Sequence, residues 1–128
     1  MKRVESPVRL RAAFKTPAGW RAEEGRLDGV PYLSLTRGGR SILIRVYGYF
    51  DSVFQRPEEF LASLPDSVEA GTVRVAGADR TLYRRSFLTF AEEFLVVPCG
   101  KGFLALSCLG PPGEAWKGFL KGFRLKPS

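Results

Sequence analysis

The sequence predicts an α+β fold, an antiparallel β-sheet with two flanking helices. Three observations carry this. Apolar and polar residues alternate over much of the first half, which is the two-residue period of a strand. Turn signals rich in glycine separate the alternating runs, as hairpins require. Two segments carry helix signals instead, and strands lie between them. A length of 128 residues suits a single domain spanning 1–128.

Each element has its own warrant. Val8, Leu10 and Ala12 alternate with Arg9, Arg11 and Ala13, so residues 8–14 read as a strand ending at Phe14. Thr16-Pro17-Ala18-Gly19 is a turn, and Trp20 enters a second short strand. Asp28-Gly29 falls in the next turn. Gly38-Gly39 is a two-residue hairpin turn between strands 32–37 and 40–47, because glycine tolerates positive φ. With Arg37 opposite Arg40, Leu35 faces Ile42 and Leu33 faces Ile44, and with Val46 they form an apolar face. Tyr32, Ser34, Thr36, Ser41, Leu43 and Arg45 form a mixed one.

Residues 56–64 read as the first helix. Pro57 suits the first turn, Glu58 and Glu59 suit the positive end of the dipole, and Phe60, Leu61 and Leu64 share a face that Pro65 ends. Strands follow at 72–76 and 81–88, joined through Gly77-Ala78-Asp79. Glu92-Glu93 opens a strand over 94–99, and Gly100-Lys101-Gly102 turns into a strand over 103–109. These last two are apolar on both faces, as expected near the centre of a covered sheet, and Pro98 marks a strand end or bulge. Pro111-Pro112-Gly113 opens the final helix, where Trp116, Phe119, Leu120 and Phe123 form an amphipathic stripe flanked by Lys117, Lys121, Arg124 and Lys126.

Composition limits the chemistry. There is no histidine, which removes Ser-His-Asp and Cys-His catalysis and imidazole metal sites. Asparagine is absent and Gln55 is the only glutamine, while arginine outnumbers lysine 14 to 6. Both a thermophilic source and a GC-rich genome produce that bias, and the missing asparagine favours the thermophile. Residues 1–11 mix charges with isolated apolar residues and lead into no apolar run of signal-peptide length, so a cytoplasmic protein is expected. Cys99 and Cys108 are then expected as free thiols. With Cys99 near Phe103 and Cys108 opposite Phe94, they lie far apart on opposite faces of the sheet.

The order of these elements resembles the PsbP/Mog1-like superfamily, including DcrB-like small bacterial proteins. Phe14-Lys15-Thr16-Pro17-Ala18-Gly19-Trp20 is similar to its F-x-x-P-x-G-W opening, and Pro57-Glu58-Glu59-Phe60-Leu61 to its first helix. Phe119-Leu120-Lys121-Gly122-Phe123-Arg124-Leu125 is similar to its aromatic closing helix and tail, with Gly122 where serine is commoner. The resemblance covers residues 8–125. It implies an α/β/α sandwich and a binding scaffold without an active site: extrinsic photosystem subunits, a nuclear-transport accessory factor, envelope lipoproteins and chaperones of secreted effectors. No counterpart of the export segment of the photosynthetic and lipoprotein branches is expected here.

The candidate chemistries are few. Glu23-Glu24, Glu58-Glu59 and Glu92-Glu93 are neighbours that point apart on a strand or helix, so they read as solvated turn or helix-start residues rather than acid–base dyads. No phosphate-binding glycine loop is present. No catalytic residue, cofactor or metal ligand is assigned. Formal charge is +6 over residues 1–45, −3 over 46–100 and +4 over 101–128. Lys2, Arg3, Arg9 and Arg11 would join Lys117, Lys121, Arg124 and Lys126 if the termini meet, and such a patch attracts nucleic acid or another anion. The segment 47–54 carries Tyr47, Tyr49, Phe50 and Phe54 at a strand-to-helix junction. In one reading Phe50 and Phe54 cap the core while the tyrosines pack with their hydroxyls in water; in the other the segment forms an exposed rim beside the mixed sheet face of Tyr32, Leu43 and Arg45.

The function expected from this is non-catalytic: a cytoplasmic protein-binding or accessory domain. The partner-binding residues would be Tyr32, Arg45, Tyr47, Tyr49, Phe50, Arg84 and Arg85. Nucleic-acid or anion binding through the basic terminal segments is one alternative, and a secretion-effector chaperone is another.

Overall fold

Two-residue turns set the sheet. The computed structural model describes residues 6–49, 52–87 and 90–126. In it β2 (Arg21–Leu27), β3 (Val30–Arg37) and β4 (Arg40–Tyr47) form one meander, and β5 (Val68–Val75), β6 (Ala78–Phe87), β7 (Phe90–Cys99) and β8 (Gly102–Leu109) form a second. The meanders join where β4 pairs with β8, giving a seven-stranded antiparallel sheet in the order β2-β3-β4-β8-β7-β6-β5. β8 is therefore central, which explains its apolar residues on both faces. The Gly38-Gly39 hairpin has the expected register, with Leu33 opposite Ile44 and Leu35 opposite Ile42.

Helices cover both faces. α1 (Pro7–Arg11) and α3 (Glu114–Gly122) lie on one, where Val8, Trp116, Phe119 and Leu120 pack on Leu33, Leu35, Ile42, Ile44, Leu95, Leu104 and Leu106. α2 (Pro57–Ala62) lies on the other, where Phe60 packs on Tyr47, Phe94, Phe103 and Ala105. The Glu59 carboxylate accepts from the backbone N–H of Gln55 and Arg56 at 3.0 and 2.9 Å, satisfying donors the first turn leaves free. The short strands β1 (Ala12–Ala13) and β9 (Arg124–Leu125) pair antiparallel, so the two ends of the chain meet.

Four expectations need correction. Residues 8–11 are helical, not extended: Ser6 caps the segment by accepting from Arg9 N–H at 3.1 Å, and Pro7 occupies its first turn. The β5–β6 turn is Ala76-Gly77, with φ of 52° and 80°, so Ala78 and Asp79 already belong to β6. Gly100-Lys101 alone closes the β7–β8 hairpin, so Cys99 faces Gly102, Cys108 faces Glu93 and Phe94 faces Ser107. That one-residue shift puts both cysteines on the α1/α3 face, not on opposite faces, though still about 20 Å apart along the strands. Both thiols are free. Finally, Glu92 and Glu93 lie inside β7 and are buried, rather than solvated at its start.

Candidate functional site

The mixed face of the β3–β4 hairpin carries a hollow of about 390 Å³. Tyr32 and Arg45 are cross-strand partners, so strand alternation sends both to the α2 face. The Tyr32 ring lies across β2 at Gly25, where a methyl group would come within 2.8 Å of its hydroxyl oxygen. Glycine at 25 thus lets the ring lie flat against the neighbouring strand. Arg45 donates to Ser107 Oγ at 3.2 Å, and its guanidinium sits 5.4 Å from the Phe60 ring and 5.8 Å from the Tyr47 ring. Its Nε is buried with no hydrogen-bond partner among the described residues. Tyr47 is buried against Phe54, Phe60 and Phe103. Burial pushes its hydroxyl pKa up, with Arg45 opposing that shift and Glu92 adding to it. At the rim Leu27 is 70% exposed and Val53 69% exposed.

The other residues named from sequence go elsewhere. In a regular strand Tyr49 would share a face with Tyr47. Gly48, at φ 85°, ends the strand and swings Tyr49 to the α1/α3 side. There its hydroxyl donates to Cys99 O at 2.5 Å and the Arg11 guanidinium lies 4.0 Å from its ring. The ring also covers Gly102, where no Cβ would fit. Phe50 lies outside the described residues. Arg84 and Arg85, adjacent on β6, point to opposite faces: Arg84 pairs with Glu93 at 2.9 Å and Arg85 with Glu92 at 3.5 Å. The structure therefore brings together Tyr32, Arg45 and Tyr47, and not Tyr49, Arg84 or Arg85.

A larger groove, about 860 Å³, runs between α3 and the β5–β6 hairpin. Val73, Leu82, Trp116, Leu120 and Leu125 supply its apolar lining, and Arg74, Lys117, Lys121 and Arg124 its cations. Glu93 lines it as well, accepting from Trp116 Nε1 at 2.8 Å. The meeting termini do not gather all the basic residues into one patch. Arg9 pairs with Glu24 at 3.0 Å, Arg11 stacks on Tyr49, and Lys2 and Arg3 lie outside the described residues. Arg74, Glu93 and Trp116 were not among the residues singled out for a site. Only Glu93 left a readable signal: Arg84-Arg85 and Glu92-Glu93 stand in mirrored order across a hairpin, which aligns opposite charges.

The titratable groups lining the two concavities are arginines, lysines, two tyrosines, Asp28 and Glu93. Cys108 lies beneath α3's face of the sheet, where burial first and the Glu93 carboxylate second push its thiol up to about 11. Among the described residues no group of acidic or cysteine side chains is arranged to hold a metal ion, and no helix is long and apolar enough to cross a membrane. Comparison with family models, curated proteins and solved structures finds no match to the chain.

Proposed function

We propose that the chain is a non-catalytic, cytoplasmic binding module of the PsbP/Mog1-like type, and that it docks a protein partner at the α2-face hollow. One observation carries the reading. Tyr32 and Arg45, placed on one face by strand alternation, and Tyr47, taken from the aromatic junction, line one hollow whose rim exposes Leu27 and Val53. Such a hollow suits a segment presenting an apolar side chain beside a carboxylate. The side chain would cover Tyr47 and Val53, and the carboxylate would accept from Arg45.

The test is a photo-crosslinking amino acid at position 53 of the full chain, with the same probe at position 68 as control, since Val68 is also exposed but lies on β5 at the far edge. One discrete adduct at 53, absent at 68 and lost with Tyr32→Asp at unchanged melting temperature, supports the reading. Equal adducts at both positions, or an adduct indifferent to Tyr32→Asp, refute it. A secretion-effector chaperone is a narrower form, in which the adduct is a secreted protein.

A second reading, anion binding by the basic terminal segments, is favoured by a separate observation: Lys117, Lys121 and Arg124 share a groove with Arg74.

A further inference from the structure

We propose that the groove between α3 and the β5–β6 hairpin binds a fatty carboxylate, its alkyl chain on the apolar floor and its carboxylate between Lys121 and Arg124. This rests on the anion reading of the basic ends and is independent of the docking hollow. A groove of about 860 Å³ falls within the size of small-molecule sites.

The lining is divided in a way that selects the ligand. Val73, Leu82, Trp116 and Leu120 are buried or half-buried, so the floor is apolar. The indole N–H of Trp116 is already taken by Glu93, so it offers a ligand no donor. The cations are exposed and sit at the mouth. Two of them have anionic neighbours: Arg74 with Asp79 at 3.3 Å, and Lys117 with Glu114 at 3.9 Å. Lys121 and Arg124 form no ion pair among the described residues. Arg124 donates to the carbonyls of Lys121 and Phe123 at 3.0 Å each, which fixes its guanidinium at the mouth.

A polyanion fits this lining poorly. Phosphates gain nothing from an apolar floor, and the Glu93 carboxylate repels any that approach it. A single carboxylate on an alkyl chain meets both halves of the site: burial of the chain supplies affinity, and the two unpaired cations fix its orientation.

The experiment uses the full chain with Trp20→Phe, which leaves Trp116 as its only tryptophan. Dodecanoate, kept below its micelle concentration, is titrated while Trp116 emission is read. The expected result is saturable one-site binding, weakened about tenfold or more by the exposed charge reversals Lys121→Glu with Arg124→Glu. Val73→Asp, which puts a charge on the floor, should weaken it similarly. Dodecanol, with the same chain and no charge, should bind about tenfold more weakly than dodecanoate. Melting curves confirm that each variant is folded. Dodecanoate binding that ignores either set of substitutions overturns the assignment to this groove. A short oligonucleotide or heparin that perturbs Trp116 where dodecanoate does not overturns the fatty-carboxylate proposal and leaves the anion reading standing. No response to any of these ligands overturns both.

Discussion

Replacing Glu93 by leucine removes a carboxylate that two donors depend on. Oε1 accepts from Trp116 Nε1 at 2.8 Å and Oε2 from Arg84 at 2.9 Å. The two donors are left in different positions. The Arg84 side chain is 53% exposed, so water can solvate its guanidinium once the partner is gone. Trp116 is 2% exposed, so its N–H is stranded in the core. A stranded buried donor costs about 1–3 kcal/mol, and loss of a hydrogen bond to a charged acceptor lies in the same range. Breaking a fully buried ion pair would cost about 3–5 kcal/mol, but the exposure of Arg84 makes that an upper limit. Glu93→Leu should therefore destabilise by about 2–3 kcal/mol. Glu93→Gln, which keeps one acceptor oxygen, should cost about half as much. Urea unfolding at neutral pH measures this: the midpoint should fall by roughly 1–2 M with an unchanged slope. In a Trp116→Phe background the stranded donor no longer exists, so the same substitution should cost about 1–2 kcal/mol less. A cost below about 0.5 kcal/mol, or an equal cost in both backgrounds, would refute the argument that the indole makes this carboxylate necessary.

Three further outcomes follow from single positions. The Cys108 thiol titrates near 11 when folded against 9.0 ordinarily, so the folded state holds its proton longer. Stability is then full below about pH 9 and declines as pH rises toward 11. The advantage of wild type over Cys108→Ala in unfolding free energy from urea melts should shrink by about 2 kcal/mol at pH 10.5, and a constant advantage would contradict it. The raised Tyr47 hydroxyl acts in the same direction in both proteins and cancels from the comparison. Gly102→Ala would drive a methyl group into the carbonyl oxygen of Tyr47 and the Tyr49 ring, so it should cost more than about 3 kcal/mol or prevent folding. Gly77→Ala meets no atom within 4 Å and pays only for its φ of 80°, so a loss of about 1–2 kcal/mol is expected from the same melts.

Legibility followed the range of the interactions. The β3–β4 hairpin was readable because a two-residue turn fixes register, and register fixes which face each side chain takes. α3 was readable because Trp116, Phe119 and Leu120 recur at helical spacing and all three are buried. α1 was not, because five residues are too few to separate a period of 2 from one of 3.6. Val8 is fully buried and Leu10 is 52% exposed, so the apparent alternation was no burial pattern at all. Ser6-Pro7 was the better signal, since it marks a helix start whatever follows it.

The two concavities differ in the same way, and the difference bears on how each should be tested. The hollow is built from cross-strand neighbours, so alternation along one hairpin already put Tyr32, Leu43 and Arg45 on its wall. Alternation failed only at Gly48, where a single positive φ sent Tyr49 to the opposite side from Tyr47. The groove has no such local rule. Arg74 comes from β5 and Lys117 and Lys121 from α3, elements that meet only after the second meander has folded and the closing helix has docked on it. Charge totals located the basic excess at the chain ends, yet Arg9 and Arg11 are engaged by Glu24 and Tyr49. What remains for a ligand is set by which cations the fold leaves unpaired beside apolar surface. Substitutions that reverse Lys121 and Arg124 therefore probe the groove itself, whereas changes at Arg9 or Arg11 would disturb the packing of α1 and report on stability.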